Sequence, residues 1–195
     1  MIRYILFDLA GVIVEMYWGG KKTVEVGTQT VDTKKLYALY EGKTYNQFMK
    51  GQASEEEVIS TFLEHVNLDA SVEQIKETMR KNCRFIKGMP ELLSELKQKY
   101  SLVAATNEGR EWTQYKIEAL RLSNYFPLII ESNKLKALKP SAVFFKKALE
   151  LIGARPEECV FVDDKKDNCE GAEEVGIKSI VFRDAKQLKE ELTSL

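Results

Sequence analysis

The chain has 195 residues, of which 44% are hydrophobic and 30% are charged. Its 29 basic and 30 acidic side chains nearly cancel, which argues against a nucleic-acid partner, because proteins that bind nucleic acids carry a basic excess. The chain opens almost directly with the strand-like residues 3–7, and no apolar segment reaches membrane-spanning length, so we expect a cytoplasmic protein without a membrane partner.

Short apolar runs, taken in chain order, predict buried strands at residues 4–7, 102–105, 128–130, 160–162 and 179–182. Helical periodicity separates the later runs, over residues 91–99, 109–122, 141–152 and 168–175. Strands that alternate with helices favour a parallel sheet covered by helices on both faces. We therefore expect an α/β fold whose core is a Rossmann-like, three-layer α/β/α sandwich.

A long insertion separates the first predicted strand from the second. Residues 16–87 break the alternation and look helical almost throughout. Ser54 and Ser71 each stand three residues before a Glu or Gln, which is the spacing of a helix capping box, and another helix is expected to begin at Asp32 or Thr33. The expected domains are a core of residues 1–15 and 88–195 and an all-helical cap of residues 16–87.

Polar side chains directly follow three of the predicted strands. Asp8 follows the first strand, Thr106 and Asn107 follow the second, and Asp163 and Asp164 follow the fourth. An isolated Asp at this position is commonly a turn or cap residue, so the prediction depends on the group. In an open parallel sheet, ligands bind outside the carboxyl ends of the strands. Three carboxylates gathered there would repel one another, and a hard cation such as Mg²⁺ would relieve the repulsion.

Four separately placed signatures that include these residues resemble the haloacid dehalogenase superfamily. They are residues 7–12 (FDLAGV), residues 103–107 (VAATN), Lys139-Pro140 followed by Phe144, and residues 160–164 (VFVDD) followed by Asn168 and Gly171-Ala172. The insertion resembles the helical C1 cap of subfamily I. Together with the fourth signature, it is similar to the branch of bacterial glucose-1-phosphate phosphatases and of the phosphatase domain of soluble epoxide hydrolases.

The resemblance implies a phosphoryl-transfer role for the first three signatures. Asp8 would attack phosphorus and form an aspartyl-phosphate. The Thr106 hydroxyl and the backbone N–H of Asn107 would hold the transferring phosphoryl group. Lys139 would balance the negative charge of Asp8 and of the phosphate.

The resemblance also implies a magnesium site. The ligands would be the Asp8 carboxylate, the backbone carbonyl of Ala10 and the Asp164 carboxylate. Asp163 and Asn168 would support the metal shell. Because the ligand at position 10 is a backbone carbonyl, metal binding should persist whatever side chain that position carries.

One position departs from the family pattern. Most phosphatases of this superfamily have a second Asp two residues after the nucleophile, where this chain has Ala10. That Asp would protonate the leaving oxygen and later activate water. Either Ala10 is the native residue, or an Asp was exchanged for Ala to slow turnover. The resemblance to the glucose-1-phosphate phosphatases favours the first alternative, because their residue at this position is also not Asp. Glu15, Glu108 and Arg110 lie close to the signatures and are candidates to contact substrate or to replace the acid.

Residues 17–20 of the insertion resemble the hinge and flap of a mobile cap. Tyr17 and Trp18 would supply a stacking or water-excluding surface, and Gly19 and Gly20 would supply flexibility. Packing inside the cap core is the alternative interpretation for Trp18. His65, the single histidine, is expected to be a surface or packing residue.

Three functions are compatible with these residues. The favoured one is a magnesium-dependent phosphatase of small phosphorylated metabolites, with a sugar phosphate as one candidate, acting as a monomer or homodimer. The second is a non-catalytic module that binds phosphate and Mg²⁺. The third is a 2-haloacid dehalogenase, which the Asp163-Asp164 pair disfavours, because attack on carbon gains nothing from further carboxylates and a cation beside the nucleophile.

Overall fold

Parallel strands form the central sheet of the computed structural model, which describes residues 1–15, 18 and 20–193. The strands of the described chain are β1 (Tyr4–Phe7), β2 (Thr23–Val26), β3 (Gln29–Asp32), β4 (Ser101–Thr106), β5 (Leu128–Glu131), β6 (Cys159–Asp163) and β7 (Lys178–Val181). The sheet has the strand order β5-β4-β1-β6-β7. All five strands predicted from apolar runs are confirmed, and their ends differ from the prediction by at most one residue.

Helices cover both faces of this sheet. The α-helices of the described chain are α1 (Thr33–Leu36), α2 (Gly42–Met49), α3 (Glu55–Val66), α4 (Val72–Asn82), α5 (Met89–Leu96), α6 (Arg110–Leu120), α7 (Ser132–Leu135), α8 (Ala142–Ile152), α9 (Lys166–Glu173) and α10 (Ala185–Thr193). Short 3₁₀ helices span Tyr37–Tyr40, Leu122–Asn124 and Pro156–Glu158.

Successive residues of the strands face opposite helical layers, as the period of two in a strand requires. Ile5 and Phe7 of β1 pack in one apolar cluster with side chains of α5 and α10. Leu6, between them, packs in a second cluster with side chains of α8 and α9. Both faces of β1 are therefore buried, and the expected three-layer α/β/α core is confirmed.

The inserted segment contains a β-hairpin, so the expectation of an all-helical cap is wrong at this point. β2 and β3 pair in antiparallel fashion, and Gly27 in their turn has φ +59°. Val24 and Val26 are buried while Thr23 and Glu25 are exposed, which is the alternation of a half-buried strand. Four residues of alternation are easily hidden in a sequence window dominated by helical periodicity.

The predicted helix starts in the insertion are confirmed. Ser54 begins α3 and Ser71 begins α4, and both make complete capping boxes with the residue three positions later. The Asp32 side chain accepts a hydrogen bond from the backbone N–H of Lys34 and caps α1. These caps satisfy backbone N–H groups that would otherwise lack partners at the helix ends.

The insertion shares its apolar core with a side chain of the expected core domain. Trp112 of α6 is buried in the cap cluster, which also contains Trp18, Phe48, Ile59 and Met79. Its ring lies 4.8 Å from that of Phe48, centroid to centroid. The Trp112 Nε1–H donates to Glu55 Oε1 at 3.0 Å. The domain boundaries at 15/16 and 87/88 remain a prediction, and this cluster is packed across them.

Candidate active site

Three side chains from neighbouring strands meet at the carboxyl edge of the sheet. Asp8 directly follows β1, while Thr106 is the last residue of β4 and Asp163 the last of β6. The parallel register brings these ends level, since Phe7 lies beside both Ala104 and Val162. All three side chains are buried. The three residues therefore gather at the carboxyl edge of the sheet, as predicted from the sequence. The two carboxylates among them are largely shielded from water.

Lys139 links two of the carboxylates. Its Nζ lies 2.9 Å from Asp8 Oδ1 and 2.7 Å from Asp163 Oδ2, and 5.1 Å from the centroid of the Phe161 ring. Burial disfavours the charge of this ammonium, but the two carboxylates outweigh that effect and raise the pKa of Lys139. For Asp8, burial raises the pKa most; Lys139 lowers it, and the Asp163 charge adds a further increase. Lys139 is therefore a fixed positive charge beside the candidate nucleophile.

Two amide side chains hold this arrangement in place. The Asn107 Nδ2 donates to the backbone carbonyl of Lys139 at 2.8 Å, and the backbone N–H of Lys139 donates to Asn107 Oδ1 at 2.8 Å. The Asn168 Nδ2 on α9 lies 3.0 Å from each carboxylate oxygen of Asp163. The Asn107 side chain thus binds the Lys139 backbone. Asn168 positions the Asp163 carboxylate, which in turn positions the Lys139 ammonium.

The carboxylates of Asp8, Asp163 and Asp164 have the donor chemistry of a divalent-cation site. One oxygen from each lies within 4.8 Å of the others. Asp164 is exposed, and partial burial together with the charges of Asp8 and Asp163 raises its pKa to about 6. Gly11 makes room for it, because a Cβ there would lie 2.6 Å from Asp164 Oδ2. Hard oxygen ligands with excess negative charge fit a cation such as Mg²⁺.

A cavity of about 580 Å³ opens above this edge. Its floor includes Asp8, Ala10, Lys139 and Asp164. Its wall includes side chains of the insertion, of the loop after β4 and of α6, namely Tyr40, Tyr45, Met49, Glu108, Trp112 and Lys116. This volume is in the range of small-molecule sites in proteins. The cavity is therefore large enough for a small molecule in contact with the charged groups of the floor.

The structure places two of the remaining candidate residues in the cavity and the others outside its lining. Glu15 and Glu108 line the cavity. Arg110 is exposed and lines shallow surface depressions, and His65 is exposed on α3 beside a small pocket within the insertion, as expected of a surface residue.

Trp18 is wholly buried in the cap cluster, which agrees with its packing interpretation. Gly20 is exposed and has φ +69°. Tyr17 and Gly19 of the expected hinge and flap lie outside the described residues. The hinge and flap role therefore stays a prediction, and the stacking role does not apply to Trp18.

Apart from Glu108, the residues named in the cavity wall were not predicted from the sequence as site residues. Tyr40, Tyr45 and Met49 reach it only through the folding of the insertion. Lys116 had a weak signal, because α6 buries Trp112, Thr113 and Lys116 on one face. A lysine on the inward face of an amphipathic helix is unusual and marks a position to inspect.

A family model and several known proteins match the sequence of this chain. The model of the family described as haloacid dehalogenase-like hydrolase matches residues 5–182. Flavin mononucleotide hydrolase 1, a chloroplast protein of Arabidopsis thaliana, is 28% identical over 162 residues, which are 83% of this chain and 66% of that protein. Phosphoglycolate phosphatase of Aquifex aeolicus is 26% identical over 187 residues, covering 91% of this chain and 83% of that protein.

A solved structure shares the fold. The HAD family enzyme bt-2542 of Bacteroides thetaiotaomicron, in complex with magnesium and inorganic phosphate, has a TM-score of 0.73 at 21% identity, covering 94% of this chain and 96% of that one. At this identity, the likeness concerns the fold. Among the described residues, we find no helix long and apolar enough to cross a membrane.

Proposed function

This chain belongs to the haloacid dehalogenase-like hydrolase family, and from that membership we propose that it hydrolyses phosphate monoesters of small metabolites through an aspartyl-phosphate on Asp8. The observation that carries the proposal is the position of Lys139, with Nζ 2.9 Å from Asp8 Oδ1 at the floor of a 580 Å³ cavity. A carboxylate fixed beside a buried ammonium is poised to meet a phosphate dianion without strong repulsion.

The proposed reaction has two displacements at phosphorus. In the first, an Asp8 carboxylate oxygen forms a bond to phosphorus as the bond to the alcohol oxygen breaks. In the second, water attacks the same phosphorus, inorganic phosphate leaves and the Asp8 carboxylate is restored. The Thr106 hydroxyl and the backbone N–H of Asn107 would donate to the phosphoryl oxygens, while Lys139 balances the charge of nucleophile and substrate. Each step keeps the charge changes beside fixed donors.

Mg²⁺ is the proposed cofactor, held by Asp8, the backbone carbonyl of Ala10 and Asp164. When bound, it supplies positive charge that neutralises phosphoryl oxygens. Asp163 supports the site indirectly, because its carboxylate positions Lys139 through the 2.7 Å contact of Oδ2. The magnesium and phosphate complex of the Bacteroides enzyme supports this assignment by analogy.

The two relatives support the class of substrate rather than a single compound. A flavin mononucleotide hydrolase and a phosphoglycolate phosphatase, by their names, act on small phosphorylated molecules of very different size. The aromatic and charged wall of the cavity would contact the alcohol part of the substrate. We therefore assign the chain to small phosphate monoesters as a class.

The decisive experiment compares the chain with its Asp8→Asn variant on an aryl phosphate, with Mg²⁺ and with a chelator. We expect Mg²⁺-dependent phosphate release and acid-stable, hydroxylamine-labile phosphate on the protein. Asp8→Asn should lose on the order of 10⁴-fold or more of the activity, since the amide keeps the shape but is a poor nucleophile. Asp69→Asn, at an exposed carboxylate on the insertion, is the matched control and should keep full activity.

Three results would reject the proposal in distinguishable ways. Appreciable activity of Asp8→Asn would exclude the covalent mechanism. Binding of Mg²⁺ and inorganic phosphate by a chain that never labels Asp8 would support the non-catalytic module. Metal-independent halide release from a 2-haloacid, without phosphate release from any ester, would support the dehalogenase.

A further inference from the structure

A buried ion pair between Glu108 and Lys116 lies in the cavity wall and has no part in the reaction described so far. The two side chains are 6% and 1% exposed. Glu108 Oε2 also accepts a hydrogen bond from the Thr113 hydroxyl at 3.3 Å. The backbone of Glu108 is fixed on both sides, because its N–H donates to Ser132 Oγ at 3.1 Å and its carbonyl accepts from Asn133 Nδ2 at 2.8 Å. The carboxylate is therefore held rigidly against the cavity.

Stability alone is a weak reason for such a pair. The desolvation of two charges commonly cancels their attraction, so that apolar residues of similar volume are often as stable or more stable. The pair lies beside the space above Asp8, and the Asp8 charge contributes to raising the pKa of Glu108. A costly pair in this place points to a role in the reaction.

The missing chemistry is proton transfer to the leaving oxygen. Ala10 lines the cavity, and its methyl group cannot exchange a proton. Asp8, Lys139 and Asp164 already have roles in nucleophilic attack, charge balance and cation binding. A further proton donor is therefore needed for esters whose alcohols are poor leaving groups.

Other titratable groups in the wall fit this role less well. Burial raises the pKa of Tyr40 and of Tyr45, and the charge of Glu108 adds to both shifts, so these phenols keep their protons and cannot act as bases near neutral pH. Glu15 lines the cavity but is partly exposed, and its Oε2 lies 2.5 Å from Arg84 Nη2. Glu108 is the remaining buried carboxyl group in the wall.

We propose that Glu108 is the general acid and base of the reaction and that Lys116 is its positioning residue; this inference rests on the proposed phosphatase function. Protonated Glu108 gives its proton to the alcohol oxygen as the bond from that oxygen to phosphorus breaks. The Glu108 carboxylate, stabilised by the Lys116 ammonium, then takes a proton from the water that attacks the aspartyl-phosphate. Alcohol and inorganic phosphate leave, and Glu108 is protonated again.

The surroundings of Glu108 suit both protonation states. Burial is the main cause that raises the pKa of Glu108, and Lys116 and Thr113 oppose it while Asp8 adds to it. A substrate phosphate dianion near Asp8 favours the protonated form further, and the Lys116 ammonium favours the carboxylate once the proton has left. Burial and the Asp8 charge thus favour the protonated form of Glu108, while Lys116 and Thr113 favour its carboxylate.

The test measures how the first chemical step depends on the leaving group. Rapid mixing of excess enzyme with aryl and alkyl phosphates would follow release of the phenol or alcohol in wild type and in Glu108→Gln. For alkyl phosphates, we expect Glu108→Gln to slow release about 10²–10⁴-fold, the usual contribution of a general acid. For phosphates of acidic phenols, release should change less than about threefold, because such leaving groups depart without a proton.

A rescue and a control sharpen this test. Adding Ala10→Asp to Glu108→Gln should restore alkyl phosphate cleavage, since a carboxyl group at position 10, which also lines the cavity, would supply the proton. Glu15→Gln removes the other wall carboxylate and should leave the leaving-group dependence unchanged. If Glu15→Gln produced the selective loss instead, the assignment to Glu108 would be wrong.

Equal loss on all substrates, or no loss on any, in Glu108→Gln would overturn the inference. Should this variant fail to fold because Lys116 loses the Glu108 carboxylate, the double variant Glu108→Gln with Lys116→Met removes both charges, and the same selective loss is expected of it. A chain that forms the aspartyl-phosphate but releases alcohol from alkyl phosphates equally fast in wild type and in Glu108→Gln contradicts only this inference. A chain that never forms an aspartyl-phosphate contradicts the proposed function itself.

Discussion

The floor and the wall of the cavity are built by different forces. At the floor, Asp8, Asp163 and Lys139 are charged groups in direct contact, placed by the ends of adjacent parallel strands. At the wall, Tyr45 and Trp112 belong to an aromatic group whose rings lie 4.8–6.3 Å apart, centroid to centroid. The floor is held by electrostatics, and the aromatic part of the wall, apart from the Glu108–Lys116 pair, is held by apolar packing.

The difference predicts that the two regions respond differently to mutation. A change at the floor should reduce the chemistry before it unfolds the chain. A change among the aromatic residues of the wall should destabilise the union of insertion and core and affect the chemistry less.

Replacement of Lys139 should reduce turnover more than the changes at Trp112 and Gly11 do. Lys139→Met leaves Asp8 and Asp163 without their shared ammonium, so kcat on an aryl phosphate should fall about 10²–10³-fold, as when a preorganised electrostatic group is removed. Circular dichroism should still show a folded chain at room temperature. Lys136→Met, at an exposed lysine whose Nζ contacts the Lys50 carbonyl, is the control and should keep normal turnover. Unchanged turnover of Lys139→Met would mean that another cation serves Asp8.

Truncation of Trp112 should give the largest effect on stability. Trp112→Ala empties a site in the cap cluster and should cost about 3–5 kcal/mol in the free energy of unfolding. We expect urea unfolding followed by circular dichroism to change from one transition to two, because the side chain that joins insertion and core is lost. Trp112→Phe keeps a ring and loses the bond to Glu55, so about 1 kcal/mol is expected. A single transition of unchanged midpoint in Trp112→Ala would show that the aromatic packing does not unite the two regions.

Substitution of Gly11 should weaken magnesium activation. Its φ of +90° disfavours any side chain, and a Cβ would lie 2.6 Å from Asp164 Oδ2 and displace that carboxylate. We expect Gly11→Ala to raise the Mg²⁺ concentration for half-maximal activity about tenfold, equivalent to about 1.4 kcal/mol. Gly153→Ala is the matched control, since φ is +63° there and a Cβ meets nothing within 4 Å. An equal shift in both variants would attribute the effect to backbone strain alone.

The smallest expected effect concerns the pH dependence of stability without metal. The pKa of Asp164 is raised from 3.8 to about 6 in the folded chain, so the folded state binds more protons than the unfolded state between these values. The contribution of Asp164 to stability should therefore fall as pH rises through this window. In a chelator, the melting temperature of wild type minus that of Asp164→Asn should decrease with rising pH. A constant difference would contradict this assignment, and added Mg²⁺ should reverse the trend.

The floor could be predicted from the sequence because each part of it is local. Asp8, Thr106 and Asp163 lie at strand ends that short apolar runs reveal, and the parallel sheet then brings those ends together. The N-terminal caps of α3 and α4 in the insertion were equally local, since Ser54 and Ser71 form hydrogen bonds within one helical turn.

The wall could not be predicted because it depends on contacts between distant segments. Trp112 meets Glu55 across 57 residues, and Ser132 Oγ donates to the Met49 carbonyl across 83 residues. No short pattern in the sequence encodes such contacts. The β2–β3 hairpin was missed for a related reason, since its two strands have only four residues each and their alternation is brief.

The placement of the two tryptophans has a practical consequence for spectroscopy. Trp18 and Trp112 are the only tryptophans of the sequence, and both are buried in the cap cluster. Indole emission excited at the red edge of the absorption band therefore reports on that cluster, while the parallel sheet contributes no tryptophan emission. Ligand entry past Trp112, which also lines the cavity, should alter emission intensity. The chain thus carries an intrinsic fluorophore pair that can follow the insertion in real time without any label.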